Sequence, residues 1–318
     1  MPKGQRTTPF LQWVGGKRQL LSVLARIITH KSLAYYEPFL GGGSVFFHFA
    51  DRRRFQRAIL NDANPELINC YEVVRDRLKE LLVRLDTYRK EPNWDSRDNF
   101  LKIRAMEFDD PIEKAARTIY LNRTSFNSLY RVNQTGKFNS PFGQYVNPTL
   151  YNRASIEACS EALCRFATLR VGGFTDAVKD AKAGDLVYFD PPYIPVSKTS
   201  SFTAYTGQFG VAEQTVLANL FRDLFSRGVM VIQSNSDSPV IHKLYEDFDI
   251  RVVKAKRVIN SKGDQRGDVN EVVIIGQPKD LKIDVPVANY LPDIFPLECE
   301  KCGNLYSSAD IICSRCEQ

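Results

Sequence analysis

One stretch of eight residues limits what this chain can fold into more than any other: Leu186-Val-Tyr-Phe-Asp-Pro-Pro-Tyr193. Leu186 to Phe189 is a short apolar run with one β-branched and two aromatic residues, the composition of a strand buried on both faces. It stops on Asp190, and two consecutive prolines bar any further ladder or helix. A strand covered on both sides belongs to a sheet lying between helices, and such sheets place ligands at the carboxyl ends of their strands. A carboxylate is therefore expected at the mouth of a crevice. The alternative is a plain strand end with a Pro-Pro turn, in which Asp190 is only a turn residue.

The chemistry offered at that strand end is specific. Asp190 is an acceptor, Pro191 presents a carbonyl with no N–H beside it, Pro192 stiffens the turn, and Tyr193 adds an aromatic face. Two acceptors and a stacking plate suit an exocyclic aromatic amine such as the N6 of adenine, whose lone pair is delocalised into its ring. Acceptors on the amine hydrogens favour a pyramidal nitrogen and free the lone pair for attack.

Other segments supply a crevice. Residues 34–47 read as a short strand, the turn Gly41-Gly42-Gly43 and a helix with Ser44 near its start, which is the pattern of a nucleotide-binding unit. Phe46 stands where the third glycine of a dinucleotide fingerprint would be, which favours a ligand without a pyrophosphate. A second strand ends at Asp62, about 20 residues on, the offset at which an acid binds ribose hydroxyls. Upstream, Trp13, the Gly15-Gly16 turn and Lys17 at the head of a helix to Ile28 either line the same pocket or place Trp13 in the core.

Residues 65–121 are helical by periodicity, with one amphipathic helix over Tyr71–Leu85 and another over 112–121. Residues 122–148 change character, and their polar arms around Gln134-Thr135-Gly136 read as a hairpin. From Ala115 to Ile156 there are five Lys or Arg and no Asp or Glu. With interleaved aromatics and amides, that bias fits groove contacts on a nucleic acid, or else a solvated loop that lacks acids. A helix near 154–166 precedes the Asp190 strand, and helices at 212–225 and 239–246 flank a buried strand from Gly228. A final strand pair, Ile250–Ile259 and Glu271–Ile275, encloses the loop that carries Arg266. The order predicts an α/β fold with an antiparallel edge.

A net charge of +6 permits a polyanionic partner. No apolar run approaches the ~20 residues of a membrane span, and no signal peptide is evident, so a cytoplasmic protein without membrane contact is expected. Pro278, Pro286, Pro292 and Pro296 mark a stiff linker. Beyond it, Cys299-x-x-Cys302 and Cys313-x-x-Cys316 have the pattern of two zinc knuckles closing a tetrahedral thiolate site. Two disulfides or a disordered tail are the alternatives. The acids Glu298, Glu300, Asp310 and Glu317 outnumber Lys301 and Arg315 there, so this module is expected to dock a protein or brace its neighbour and not to read DNA.

Taken together, these stretches resemble the Dam-type DNA adenine-N6 methyltransferases of the D12 class over roughly residues 7–276. The resemblance is carried by Phe10-Leu-Gln-Trp-Val-Gly-Gly-Lys17, Glu37-Pro-Phe-Leu-Gly-Gly-Gly-Ser44 and Asp190-Pro-Pro-Tyr193, in the family's order. It implies a class I, Rossmann-like methyltransferase fold over residues 1–64 and 167–277. It also implies a target-recognition insertion at 65–166, leaving the linker 278–296 and a zinc ribbon at 297–318 outside the usual domain. By the same resemblance, S-adenosylmethionine touches Trp13, Lys17, Phe39, Gly41, Asp62 and Asp190, while Asp190, Pro191, Pro192 and Tyr193 serve a flipped adenine. Double-stranded DNA is then the substrate; Arg123, Asn127, Leu129, Arg131 and Pro141 sit as in enzymes that read GATC, and Gln12, Lys137, Tyr145 and Arg266 are further candidate DNA contacts. Arg131 is the candidate for a guanine edge, and Arg123, Lys137 and Arg266 are the candidates for phosphates. Gln12 replaces a lysine common in that family. Cytosine-N4 methylation is the same-class alternative, and a catalytically silent DNA-binding or docking protein is the other.

Overall fold

The computed structural model describes residues 7–13, 17, 20–133, 137–194, 209–256, 268–278, 296–298 and 305–307. The first half runs α1 (Leu21–Ile27), β1 (Ser32–Glu37), α2 (Ser44–Ala50), β2 (Phe55–Asp62), α3 (Pro65–Asp76), α4 (Leu78–Lys90), α5 (Arg97–Ala105) and α6 (Pro111–Thr124). The second runs α7 (Arg153–Phe166), β3 (Ala167–Val171), α8 (Phe174–Ala177), β4 (Leu186–Phe189), α9 (Val211–Ser226), β5 (Met230–Ser236), α10 (Pro239–Leu244), β6 (Asp249–Lys256) and β7 (Asp268–Gly276). Met1–Ile283 form one compact unit and Asp284–Gln318 a second. In the second, β8 (Pro296–Glu298) pairs antiparallel with β9 (Leu305–Ser307). Arg266 and the four cysteines Cys299, Cys302, Cys313 and Cys316 lie outside the described residues.

Seven strands make one sheet in the order β3-β2-β1-β4-β5-β7-β6. All pairs from β3 to β5 are parallel, and β7 runs antiparallel to both β5 and β6. This is the class I methyltransferase arrangement that the resemblance implies. β4 is buried along its whole length. Leu186 and Tyr188 enter the core on one face, and Val187 and Phe189 enter the core on the other. Each buried side chain of this size contributes roughly 1.5–3 kcal/mol, which holds the strand end that carries Asp190 in place. The start of β4 is pinned by Asp185, which accepts from the Ala34 and Lys182 main-chain N–H groups, each at 3.0 Å.

Local chemistry starts several helices. Pro65 opens α3 behind Asn64, whose side chain accepts from the Glu66 and Leu67 N–H groups, and Pro111 opens α6 behind Asp110 in the same way. Two expectations need correction. The helix read over Tyr71–Leu85 is two helices: Arg77 leaves helical geometry (φ −132°, ψ 32°), so α3 packs on α6 and α7 while α4 packs on α6. A continuous apolar stripe does not reveal that break. Residues 167–171 form an edge strand that the sequence reading passed over, since a five-residue run with one covered face carries little periodic signal. Within 65–166, α3 and α7 lie against β2 and β3.

Candidate active site

The carboxyl ends of β1 and β4 are neighbours, at the place where chain connections diverge across the sheet. Asp190 follows β4 there and is about one-fifth exposed, at 20%. Its Oδ1 receives the Lys17 ammonium at 2.8 Å and the Ser234 hydroxyl at 3.0 Å. Because Ser234 spends its proton on Asp190, Tyr188, 2.9 Å away, donates to Ser234. Among the described residues no donor is recorded on Oδ2, so one carboxylate oxygen is loaded and the other is left for a ligand. Burial pushes the Asp190 carboxyl above its usual range, against the pull of Lys17 and Ser234. Lys17 is itself buried and also lies over the Tyr193 ring, 4.8 Å from its centroid.

The turn after Asp190 is braced. Gln214 of α9 donates to the Pro192 carbonyl at 3.0 Å, and the Tyr193 hydroxyl donates to Glu271 of β7 at 3.1 Å. With Pro192 engaged, the Pro191 carbonyl has no donor among the described residues. Glu37, at the end of β1, is buried; it accepts from the Tyr35 hydroxyl at 2.7 Å and from the Phe46 N–H. Burial raises its carboxyl to about 8, with Asp190 adding to the rise. A protonated Glu37 leaves Asp190 as the carboxylate that balances Lys17.

Gly41 and Gly43 take positive φ (48° and 66°), and a Cβ at Gly43 would meet the Tyr71 hydroxyl at 2.9 Å, so the turn after β1 depends on glycine. Asp62 ends β2, but its carboxylate is committed to main chain: Oδ2 accepts from Gly41 at 3.0 Å and Oδ1 from Asn64 at 3.0 Å. Its first duty is to hold the glycine loop, and a ribose hydroxyl would share those oxygens. Phe39 stacks on Phe174 at 5.3 Å and meets Phe209 edge-on at 5.6 Å, making an apolar wall beside the strand ends. Half-buried Trp13 lies against the same glycine loop.

The described residues on either side of 134–136 pair as the arms of a hairpin, as expected. Val132 bridges Phe138, Ser125 bridges Phe142, and the Asn139 N–H donates to the Arg131 carbonyl at 2.8 Å. Arg131 is exposed, and its guanidinium donates to the Asn139 side chain at 2.8 Å and to its carbonyl at 3.1 Å. Asn127, Pro141 and Tyr145 are exposed and Leu129 is half-buried, its carbonyl accepting from Ser140 at 2.7 Å. Gln12 reaches this loop from the N-terminal segment: its side-chain oxygen accepts from Ser128 at 2.5 Å, and Asn122 bonds both its N–H and its carbonyl. The two phosphate candidates of this segment have protein partners. Arg123 is half-buried and donates to the Phe10 carbonyl at 2.8 Å, so it ties the N-terminal segment down. Lys137 is exposed but pairs with Glu107 at 2.6 Å, an acid from outside the acid-free stretch.

The family model of the D12 class N6 adenine-specific DNA methyltransferases matches residues 13–259. The chain belongs to this family. A type II methyltransferase, M1.LlaDCHI of Lactococcus lactis subsp. cremoris, is 41% identical over 274 residues, covering 84% of this chain and 94% of that protein. Another, M.MjaIII of Methanocaldococcus jannaschii, is 38% identical over 286 residues, covering 84% and 98%. The DNA adenine methylase of Escherichia coli K12 is 34% identical over 282 residues, covering 86% and 97%. The protein is thus an adenine-specific DNA methyltransferase that uses S-adenosylmethionine.

Several residues around this methyltransferase's crevice escaped sequence reading. Ser234 had a signal, because Gln233-Ser-Asn-Ser236 is a fully buried polar run ending an apolar strand. Gln214 and Glu271 had none, each being one polar residue on an ordinary helix or strand. Phe126 is 49% exposed just after α6, followed by Asn127 and Ser128, both at positive φ (54° and 52°). Two consecutive non-glycine residues in that region are strained, as happens where a loop is held for use.

Proposed function

We propose that this enzyme methylates N6 of a flipped adenine in duplex DNA, within GATC, using the spare Asp190 oxygen and the Pro191 carbonyl as acceptors for the amine. The observation that carries this reading is the division of labour on Asp190, with Oδ1 loaded by Lys17 and Ser234 and, among the described residues, no donor on Oδ2. An amine held by two acceptors becomes pyramidal, and Asp190 stabilises the positive charge that develops on nitrogen. Tyr193, braced through Glu271, is the stacking surface for the base. Residues fitting S-adenosylmethionine surround the crevice: the glycine loop lies close enough to Trp13 that a Cβ on Gly41 would come within 3.0 Å of it, and Phe39 lends an apolar wall. Lys17, Asp62 and Asp190 complete the set, and the bound group supplies an electrophilic methyl. The hairpin around Arg131, with Gln12, Asn127, Leu129, Lys137, Pro141, Tyr145 and exposed Phe126, is the DNA-reading surface in this proposal, and Arg266 a phosphate contact. The spacing Cys299-x-x-Cys302 and Cys313-x-x-Cys316 supports a structural zinc ribbon that docks a protein partner, as does β8 pairing with β9 on either side of the first knuckle. A cytoplasmic location accords with this chemistry.

The test is to incubate the pure protein with S-adenosylmethionine and unmethylated plasmid, then sequence for modified bases. N6-methyladenine confined to GATC is expected, with turnover lowered by orders of magnitude in Asp190→Ala. Methylcytosine or another sequence overturns the target, and near wild-type turnover in the variant overturns the role of Asp190.

A further inference from the structure

Tyr130 belongs to the DNA-reading hairpin, yet its side chain contacts the other half of the machinery. Its ring stacks on Trp13, with centroids 5.2 Å apart and planes inclined by 25°. Phe138 meets it edge-on at 5.6 Å, and its hydroxyl donates to Glu66 at 2.7 Å. Both inward partners lead to the glycine loop. Trp13 lies directly on it, since a Cβ at Gly41 would meet the indole at 3.0 Å and one at Gly42 would meet the Trp13 Cβ at 3.1 Å. Glu66 sits in the first turn of α3, whose cap Asn64 donates its N–H to Asp62, and Asp62 holds the Gly41 N–H. The residue before Trp13 is clamped as well, through Asn122 on the main chain of Gln12. Tyr130 is also the chain neighbour of Leu129 and Arg131, so any shift or ordering of those residues acts on the stack.

We infer that Tyr130 is a positioning residue that couples DNA reading to cofactor binding. A bound duplex fixes the hairpin, the hairpin fixes the Tyr130–Trp13 stack, and the stack fixes the wall of the glycine loop. The ordering cost is met once, so each ligand tightens the other, and linkage makes the effect reciprocal. The inference rests on the reading of the crevice and hairpin given above.

The test measures affinity for sinefungin, a non-reactive analogue of the methyl donor, by calorimetry on the full chain, with and without saturating unmethylated duplex of the plasmid-mapped sequence. In the wild type the duplex should tighten sinefungin by about five-fold or more. Tyr130→Ala should bring that ratio close to one while sinefungin affinity without DNA changes less than the ratio does. Tyr130→Phe, which keeps the stack and loses the Glu66 bond, should retain most of the coupling. A residue with only a structural role would lower both affinities and leave the ratio alone. Should thermal melting find Tyr130→Ala unfolded, Tyr130→Leu keeps much of the bulk without the stack and carries the same expectation. A wild-type ratio of one, or an unchanged ratio in the substituted proteins, overturns the coupling alone. A wild type that binds neither ligand overturns the reading of the crevice and hairpin together with it.

Discussion

Lys17, Glu37 and Asp190 gather one cation and two carboxyl groups at the mouth of a mostly apolar sheet, and burial decides which of them is charged. Glu37 carries the sharper consequence. Its carboxyl titrates near 8 in the folded protein against an ordinary value of 4.5. Between those values the folded chain holds a proton that the unfolded chain has released, so stability falls as pH rises through this window, by up to about 1.4 kcal/mol per pH unit. Glu37→Gln keeps an acceptor for Tyr35 and Phe46 without the charge. Its stability relative to the wild type should therefore grow from pH 6 to pH 8.5 in denaturant unfolding. A difference that does not change with pH would mean that Glu37 is ionised throughout. Burial near Asp190 could not be read from the sequence, where Glu37 was only part of a glycine-loop motif.

The hairpin beyond α6 shows what an element adds to its residues. Arg131 is exposed, but two bonds to Asn139 on the facing arm hold its guanidinium in one direction, and its remaining N–H groups are directed by that tether. Pre-organisation of this kind favours bidentate contact with a base edge. Arg131→Ala should cost about 1–3 kcal/mol of discrimination at one base pair and less in affinity for unrelated DNA. Asn139→Ala should act in the same direction but more weakly. Competition binding against single-base-pair variants checks both, and a uniform loss over all sequences would reassign Arg131 to the phosphates. Lys137 starts from a different state, paired with Glu107 at 2.6 Å, although exposed pairs of this kind are worth little and are readily exchanged.

At the scale of the whole molecule, the chain divides between Ile283 and Asp284, and the methyltransferase family match ends well before that point, at residue 259. Among the described residues the second unit shows one short strand pair, and a unit this short needs a cross-link to stand alone. Metal analysis of the full chain should give one zinc per molecule, lost in Cys299→Ser, while methylation is largely retained. Protein purified under reducing conditions without bound metal would refute the ribbon.

The sequence by itself determined the strand that ends on Asp190, the glycine turn after β1, the acid at the end of β2, the hairpin with its acid-free arms and the antiparallel edge. Each is written in neighbouring residues: an apolar run, a breaker, a glycine where a side chain would clash, a charge bias within one segment. What the tertiary structure decided involves residues far apart in the chain. Lys17 loads one oxygen of Asp190, Asp62 turns to the Gly41 N–H, Arg123 turns inward to Phe10, and Tyr130 reaches Trp13. The edge strand β3 and the break at Arg77 belong to the same class, being fixed by what each segment packs against. Such pairings depend on which elements the sheet order brings together, and no local periodicity or spacing encodes that adjacency.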